Sequence, residues 1–330
     1  MKAIVLVSPG KLELREVPTP EPRAGQVRIR TAAFGICATD ILMIDGNPRV
    51  KPPAILGHEW SGTVDAVGPG ADPKLVGRRC VAENVLADGG EVGFEHPGGY
   101  GEFVLTEARN VQALPDGFDM AAAAMIEPLA VSVRAMRRLA PQDKRAALVL
   151  GDGPIGLLML VLLRRAGVER VTLVGGRAGR LALAREFGAA EVINYHEIQF
   201  DLASAIMKKA CTGAACPVAK GFPSIVEATG SAKAMEAALE LAAPQGKIVL
   251  IGDYDQARAA FPWNTLLHKE LELIGSNASA LGWPEATRLA TEPGFPLARL
   301  VSARFPAARF AEGVALVRGR GDQVKIVVEW

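Results

Sequence analysis

The chain is predicted to be an α/β protein in two parts, a doubly wound parallel sheet domain and a second, β-rich domain. Three observations carry that prediction. From about residue 146 onward, short apolar runs alternate with helical patterns, the signature of a parallel sheet covered on both faces. One G-x-G-x-x-G, Gly151 to Gly156, joins the first of those runs to the first of those helices. The first third of the chain instead carries β-prone runs between Pro and Gly clusters, as an irregular antiparallel domain would.

In order along the chain, Ala3 to Val7, Val27 to Ala33, Thr63 to Val67 and Phe103 to Thr106 read as strands. Pro18-Thr19-Pro20-Glu21-Pro22 and Gly68-Pro69-Gly70 punctuate them. Near residue 120 the texture changes: alanine-rich sequence leads to Pro128, tolerated in a first helical turn, and Leu129, Val133 and Met136 follow at helical spacing. Ala146 to Leu150 is then a strand, Pro154 to Ala166 a helix, Arg170 to Val174 a strand, and Arg180 to Phe187 a helix ended by Gly188. Ile225 to Glu227, Lys247 to Ile251 and Glu272 to Ile274 are further strands, with Ala232 to Leu241 a helix. A last strand falls at Lys325 to Glu329.

Length and charge exclude several classes. The 330 residues allow two domains with their own cores. Lys and Arg number 37 against 36 Asp and Glu, so no basic field is present to hold nucleic acid. The longest apolar stretch, Ile155 to Leu163, stops at Arg164, well short of the ~20 residues a membrane helix needs. Ala3 to Val7 is too short for a signal-peptide core. A soluble, cytoplasmic protein is expected, with neither a nucleic-acid nor a membrane partner. Its four cysteines are too few for a secreted disulfide framework. Cys211 and Cys216, with no His or further Cys beside them, read as free thiols rather than a redox or metal pair.

Glycines at Gly151, Gly153 and Gly156, with Pro154 and Ile155 opening the helix, allow a tight turn and close approach of a pyrophosphate to a helix N-terminus. The pattern alone is weak, but its place between an apolar strand and an apolar helix makes a dinucleotide site the preferred reading. The next strand ends in Val174-Gly175-Gly176-Arg177. It presents no carboxylate to repel a 2′-phosphate, and an arginine to pair with one, so NADP(H) is favoured over NAD(H). Tyr195, beyond the third strand, flanks either the adenine or the phosphate, or is simply a half-buried strand-end residue. Thr229, after the fourth strand, is assigned to the same cofactor set.

Two motifs in the first domain supply metal-ligand chemistry: Gly35-Ile36-Cys37-Ala38-Thr39-Asp40 and Gly57-His58-Glu59. A thiolate, an imidazole and a carboxylate are the ligand types of a catalytic zinc, which keeps one position open for water or substrate. Taken singly, each residue also fits a structural role.

These motifs, followed by Gly-Gly-Tyr-Gly-Glu-Phe-Val at 98 to 104, Glu-Pro-Leu-Ala-Val at 127 to 131 and the glycine fingerprint, resemble the zinc-dependent medium-chain alcohol dehydrogenase family over nearly the whole chain. The resemblance implies a GroES-like catalytic domain over 1–127 and 277–330, and a Rossmann domain over 128–276. It implies one catalytic zinc on Cys37 and His58, with Glu59 ligating directly or alternating with water. Glu127 matches a glutamate of the polyol-type branch that lies on the metal or its water. Thr39 is then the hydroxyl that bonds the reacting oxygen, and Asp40 the carboxylate that orients the ligand histidine. The Gly-Gly-Arg loop with Tyr195 resembles the NADP-dependent secondary-alcohol branch. The strand from Glu272 resembles the one through which subunits pair, which implies a homodimer or homotetramer.

Two departures stand out. The histidine that ends the proton relay in many members is replaced by Leu42, which leaves water, Asp45 or the ribose hydroxyls as outlets. The structural zinc lobe needs four close cysteines, and only Cys80 lies near, so the loop from Ala82 to Pro97 is expected to pack without metal. Glu95 and His96 there read as solvated loop residues. Expected activity is hydride transfer between NADP(H) and a secondary alcohol or polyol and its ketone. A zinc-free quinone or enoyl reductase of the same fold, or a non-catalytic NADPH-binding protein, are the alternatives.

Overall fold

The computed structural model describes residues 1–198, 201–211, 218–254, 257–258 and 260–330. The chain divides into two compact units, Met1–Ala130 with Ala280–Trp330, and Val131–Ser279.

The first unit is built on Gln26–Ile36, an eleven-residue strand. Val27, Ile29 and Thr31 alternate inward, while Arg28 and Arg30 face out and share Asp65 at 2.8 and 2.9 Å. Antiparallel partners lie along it: Trp60–Val67, Phe103–Glu107 and Lys325–Glu329. Arg79–Ala82 and Val111–Ala113 extend the seven-stranded sheet on one side, and Val301–Pro306, parallel to Lys325–Glu329, ends it on the other. Phe34, Trp60 and Tyr100 are fully buried at its centre. Register matters functionally here. From Ala33 on, every residue of the central strand is buried, and its end delivers Cys37 to the start of the helix Ala38–Ile44.

The second unit is a six-stranded, all-parallel sheet in the order Glu191–Asn194, Arg170–Gly175, Ala146–Leu150, Phe222–Glu227, Ala242–Leu250, Glu272–Gly275. The order reverses between the third and fourth of these, which is where such sheets bind dinucleotides, beyond the carboxyl ends of the strands. Every residue of Ala146–Leu150 is buried, as a strand covered on both faces requires. Pro154–Arg165 follows it, with Gly153 as N-cap and Pro154 in the first turn. At the far end of Ala232–Leu241, Lys269 Nζ donates to the carbonyls of Leu239, Glu240 and Ala242 at 3.3, 2.7 and 2.9 Å, satisfying acceptors that a helix C-terminus leaves open.

One expectation needs revision. Cys211 is disulfide-bonded, not a free thiol; Cys216 lies outside the described residues. Lys11–Glu16, Ala38–Ile44 and Val301–Pro306 are elements that apolar patterning does not announce. The first is a half-exposed hairpin arm, the second a seven-residue helix held by its cap. Glu95 and His96 are solvent-accessible loop residues, as the sequence suggests, and each also carries an ion pair, to Arg49 at 2.9 Å and Asp88 at 3.0 Å. Among the described residues, no helix is long and apolar enough to cross a membrane.

Candidate active site

Cys37, His58 and Glu59 meet in the first unit, their potential ligand atoms all within 4.8 Å of one another. Each is delivered by a different device. Cys37 caps Ala38–Ile44 at the end of the central strand, and Asp40, three residues on, accepts from its backbone N–H at 2.9 Å. His58 follows Gly57, whose φ of +96° suits glycine; a Cβ there would also lie 2.4 Å from the Tyr100 ring. Glu59 packs against Gly35, where a Cβ would lie 2.2 Å from its Oε2. Both motif glycines thus make room for site residues.

Asp40 is fully buried and holds the pocket from behind. Its Oδ2 accepts from Cys37 N and, at 3.0 Å, from Tyr100 Oη, while Oδ1 lies 3.2 Å from His58 Nδ1. That last contact is close enough for an ion pair but is not aligned as a hydrogen bond, so both atoms stay short of a partner. Burial opposes a charge on His58, yet Asp40 and Cys37 together raise its pKa well above the usual value. The pocket therefore favours a cation. A thiol, an imidazole and a carboxylate in this field are a donor set that fits zinc. Thr39 Oγ1 lies 3.7 Å from Cys37 Sγ.

Further contacts fix the histidine. Asn84 Nδ2 donates to the His58 carbonyl at 2.7 Å, and Trp60 Nε1 donates to Asn84 Oδ1 at 3.1 Å. Phe94 stacks on the imidazole, 4.8 Å between centroids and 25° between planes, and Arg49 lies over the Phe94 ring at 3.9 Å. The loop expected to lack a metal thus buttresses the site.

Lys325, buried at the head of the last strand, donates to both oxygens of Glu59 at 2.6 Å. Burial alone would lower the lysine's pKa; Glu59 and then Cys37 reverse that and raise it. Glu127 stands in the first turn of Ile126–Leu139 and is buried, though outside the 4.8 Å trio. Burial pushes its carboxyl up to about 7, against the pull of His58. Asp45, one candidate proton outlet, is paired with Arg318, and Leu42 is partly exposed.

In the second unit the fingerprint glycines have distinct roles. Gly151 has φ of +119°, and a Cβ there would crowd Ala228 O at 3.0 Å and Thr229 Cγ2 at 3.2 Å. A Cβ on Gly156 would lie 2.0 Å from Gly151 O, so helix and turn touch. One on Gly153 would meet nothing within 4 Å, leaving open space at the N-terminus of Pro154–Arg165, as a pyrophosphate cradle requires. Thr229 is held from below: its N–H donates to Glu227 Oε1 at 2.8 Å, its hydroxyl bonds the same oxygen, and Tyr254 Oη donates to Oε2 at 2.6 Å. Gly175 and Gly176 make room for neighbours, Asp152 and Tyr195 respectively, and Tyr195 is 45% exposed beside them. The expectation that no carboxylate stands at this loop needs correction. Asp152, remote in sequence, brings one: its Oδ2 accepts from Gly176 N and Arg177 N, both at 2.8 Å.

Phe94, a candidate pocket aromatic in the sequence along with Trp60, Trp263 and Trp283, does reach the site, whereas Lys325, Tyr100, Asn84, Arg49 and Asp152 complete these sites without standing out as site residues in the sequence. Tyr100 and Asp152 lay inside motifs already noted; Lys325, opening an otherwise apolar strand, was a buried charge in waiting. Of the other tryptophans, Trp283 is buried and Trp263 is 69% exposed, its ring tilted at 45° against Phe261.

Residues 23–116 match the alcohol dehydrogenase GroES-like domain and residues 154–292 the zinc-binding dehydrogenase domain. Galactitol 1-phosphate 5-dehydrogenase of Escherichia coli K12 is 28% identical, covering 95% of this chain and 95% of its own. Among solved structures, RspB of E. coli CFT073, complexed with NADH, superposes with a TM-score of 0.91 at 26% identity, covering 100% of this chain and 99% of that one. A zinc-binding dehydrogenase of Sinorhizobium meliloti 1021, bound to NADP, gives 0.90 at 25% identity over the same shares.

Proposed function

Since the chain belongs to the zinc-dependent medium-chain alcohol and polyol dehydrogenases, we propose that it oxidises a secondary alcohol or polyol with NADP+, or reduces the matching ketone with NADPH, using one zinc per chain. The observation that carries the zinc assignment is the convergence of Cys37, His58 and Glu59 in a buried pocket that favours a cation. Zinc, when bound, supplies a Lewis acid that makes a substrate hydroxyl acidic, and nicotinamide supplies the hydride acceptor.

The residues divide the remaining work. Cys37 and His58 hold the ion. Glu59 already has its charge balanced by Lys325, so the carboxylate that best neutralises the metal alongside Cys37 is Glu127, with Glu59 as the alternate ligand. Asp40 and Phe94 keep the imidazole oriented, and the Thr39 hydroxyl accepts a hydrogen bond from the reacting hydroxyl and relays its proton, passing its own proton outward to water as it receives the substrate's. Gly151, Gly153, Pro154, Ile155 and Gly156 hold the pyrophosphate, Thr229 the nicotinamide side, and Gly175, Gly176, Arg177 and Tyr195 the adenosine and its 2′-phosphate. The assignment makes 1–127 with 277–330 the catalytic domain and 128–276 the cofactor domain. Glu272–Gly275, paired along one side only among the described residues, is the edge for a homodimer or homotetramer. The galactitol 1-phosphate relative and the Glu127 match favour polyols or their derivatives over simple alcohols.

Metal analysis with a substrate panel tests this. Wild type should hold one zinc per chain and reduce NADP+ with at least one polyol or secondary alcohol. Cys37→Ser, still folded by circular dichroism, should lose the zinc and on the order of 10³-fold or more in kcat/KM. Active metal-free protein would refute the assignment. Zinc-loaded protein inert with both cofactors across the panel would favour a non-catalytic role.

A further inference from the structure

We propose that Asp152 acts as the adenosine-end carboxylate of this enzyme, setting its choice between NAD(H) and NADP(H) from an unusual place. This rests on the dinucleotide reading above and refines its cofactor preference. In doubly wound folds an acid at the end of the second strand accepts hydrogen bonds from the ribose hydroxyls, and an arginine there instead favours the 2′-phosphate. Here that strand, Arg170–Gly175, ends in two glycines and Arg177, and sequence alone predicts an unopposed phosphate site.

Space tells a different story. Asp152, the second residue of the glycine-rich turn, crosses to the loop after Arg170–Gly175 and places Oδ2 at 2.8 Å from the N–H of Gly176 and at 2.8 Å from that of Arg177. Those two amides stand just ahead of the helix Ala178–Glu186, whose N-cap is Arg177, where a phosphate would otherwise find donors. Gly175 is glycine for the same reason: a Cβ there would lie 2.4 Å from Asp152 Cβ and 2.5 Å from its Oδ2. Asp152 Oδ1 forms a long ion pair with Arg180 Nη1 at 3.8 Å, which tempers but does not cancel its charge and leaves it lone pairs for a further donor. A carboxylate thus occupies the donors of the loop and offers acceptor capacity at the position from which the usual acid is missing.

Two consequences follow from charge. The carboxylate repels a 2′-phosphate and accepts from a 2′-hydroxyl, so it works against Arg177 and keeps the NADP preference modest. Asparagine at this position is isosteric and keeps an oxygen for the loop amides but removes the repulsion.

Equilibrium binding of NADP+ and NAD+, by calorimetry or by quenching of tryptophan fluorescence, tests the assignment without turnover. Wild type should bind the two within about tenfold of each other. Asp152→Asn should shift the affinity ratio about tenfold toward NADP+, equivalent to about 1.4 kcal/mol. Asp152→Ser, which keeps a small acceptor, should shift it the same way and stands in if the asparagine variant folds poorly. Equal changes for both cofactors, as a mere loop clamp would give, or a shift toward NAD+, would overturn the proposal. Arg177→Ala in parallel separates the two ideas. It should weaken NADP+ more than NAD+ if the phosphate reading is right, whatever Asp152 does.

Discussion

The two sites of this chain are built on opposite principles. In the first unit, the pocket around His58 is assembled from buried charged side chains that answer one another: Glu59 with Lys325, Asp40 with His58, Cys37 and Tyr100. In the second, the dinucleotide loops are shaped by backbone and by missing side chains, with Gly151, Gly153 and Gly156 defining a turn and Asp152 as a tie across it. The difference follows from the ligands. A compact cation needs fixed electron-pair donors at one point, and holding them in a low-dielectric interior requires compensating charge. An extended dinucleotide needs a surface of N–H groups that the backbone supplies wherever side chains stand aside.

The sharpest way to break this contrast is to remove one charge from the first site. Lys325→Met strands the Glu59 carboxylate in the interior, which should destabilise the zinc-free protein by about 3–5 kcal/mol in urea unfolding. Removing both charges, in Glu59→Gln with Lys325→Met, should recover most of that loss, because the penalty belongs to the unpaired charge and not to the missing bond. A double variant as unstable as the single one would mean that Lys325 acts through packing.

A comparable insult to the second site is geometric. Gly156→Ala drives a Cβ to 2.0 Å from the Gly151 carbonyl oxygen, a backbone atom that cannot swing away. About 1–3 kcal/mol of stability should be lost and cofactor affinity should fall at least about tenfold, while zinc content stays at the wild-type level. Loss of zinc in this variant would show that the two sites are less independent than their construction suggests.

How far the sequence foretells these sites depends on the same contrast. Backbone-made features are legible, because glycines must stand at fixed spacing next to a strand and a helix: Gly151 to Gly156 and five of the six parallel strands, all but Glu191–Asn194, are readable from residue order. Cys37, His58 and Glu59 are readable because each sits in a short motif. Partners that arrive by folding are not. Lys325 lies 266 residues from Glu59, and its strand shows only a lysine at the head of an apolar run. Asp152 is the harder lesson. It stands in plain view within the fingerprint, yet reading each loop by its own residues hides that the carboxylate of one serves the other, 24 residues on. Cys211 teaches the limit of counting, since composition argues for a thiol and the fold forms a disulfide.

The smallest expected effect lies at the rim of the metal pocket. Arg49 grips Glu95 through two hydrogen bonds, at 2.9 and 3.2 Å, and covers the face of Phe94, which stacks on His58. Both charged side chains are more than a third exposed, at 39% and 40%, so water screens the pair and Arg49→Ala should cost only about 0.5–1 kcal/mol at neutral pH. Its pH dependence has a definite sign. The Arg49 guanidinium holds the Glu95 carboxyl down at about 2, below its usual value of 4.5. The pair's contribution is therefore present above pH 4.5 and fades as pH falls toward 2, where wild type and variant should converge in denaturant titrations. Arg49→Lys discriminates the mechanism: it keeps the charge but loses the planar stack, so the ion pair largely survives while the support of Phe94 weakens. A modest rise in zinc dissociation, below about tenfold, in the lysine variant with stability nearly unchanged would locate Arg49's role in orienting His58 through Phe94. Unchanged zinc retention in both variants would reduce Arg49 to an ordinary surface ion pair and leave Asp40 and Asn84 as the groups that orient the histidine.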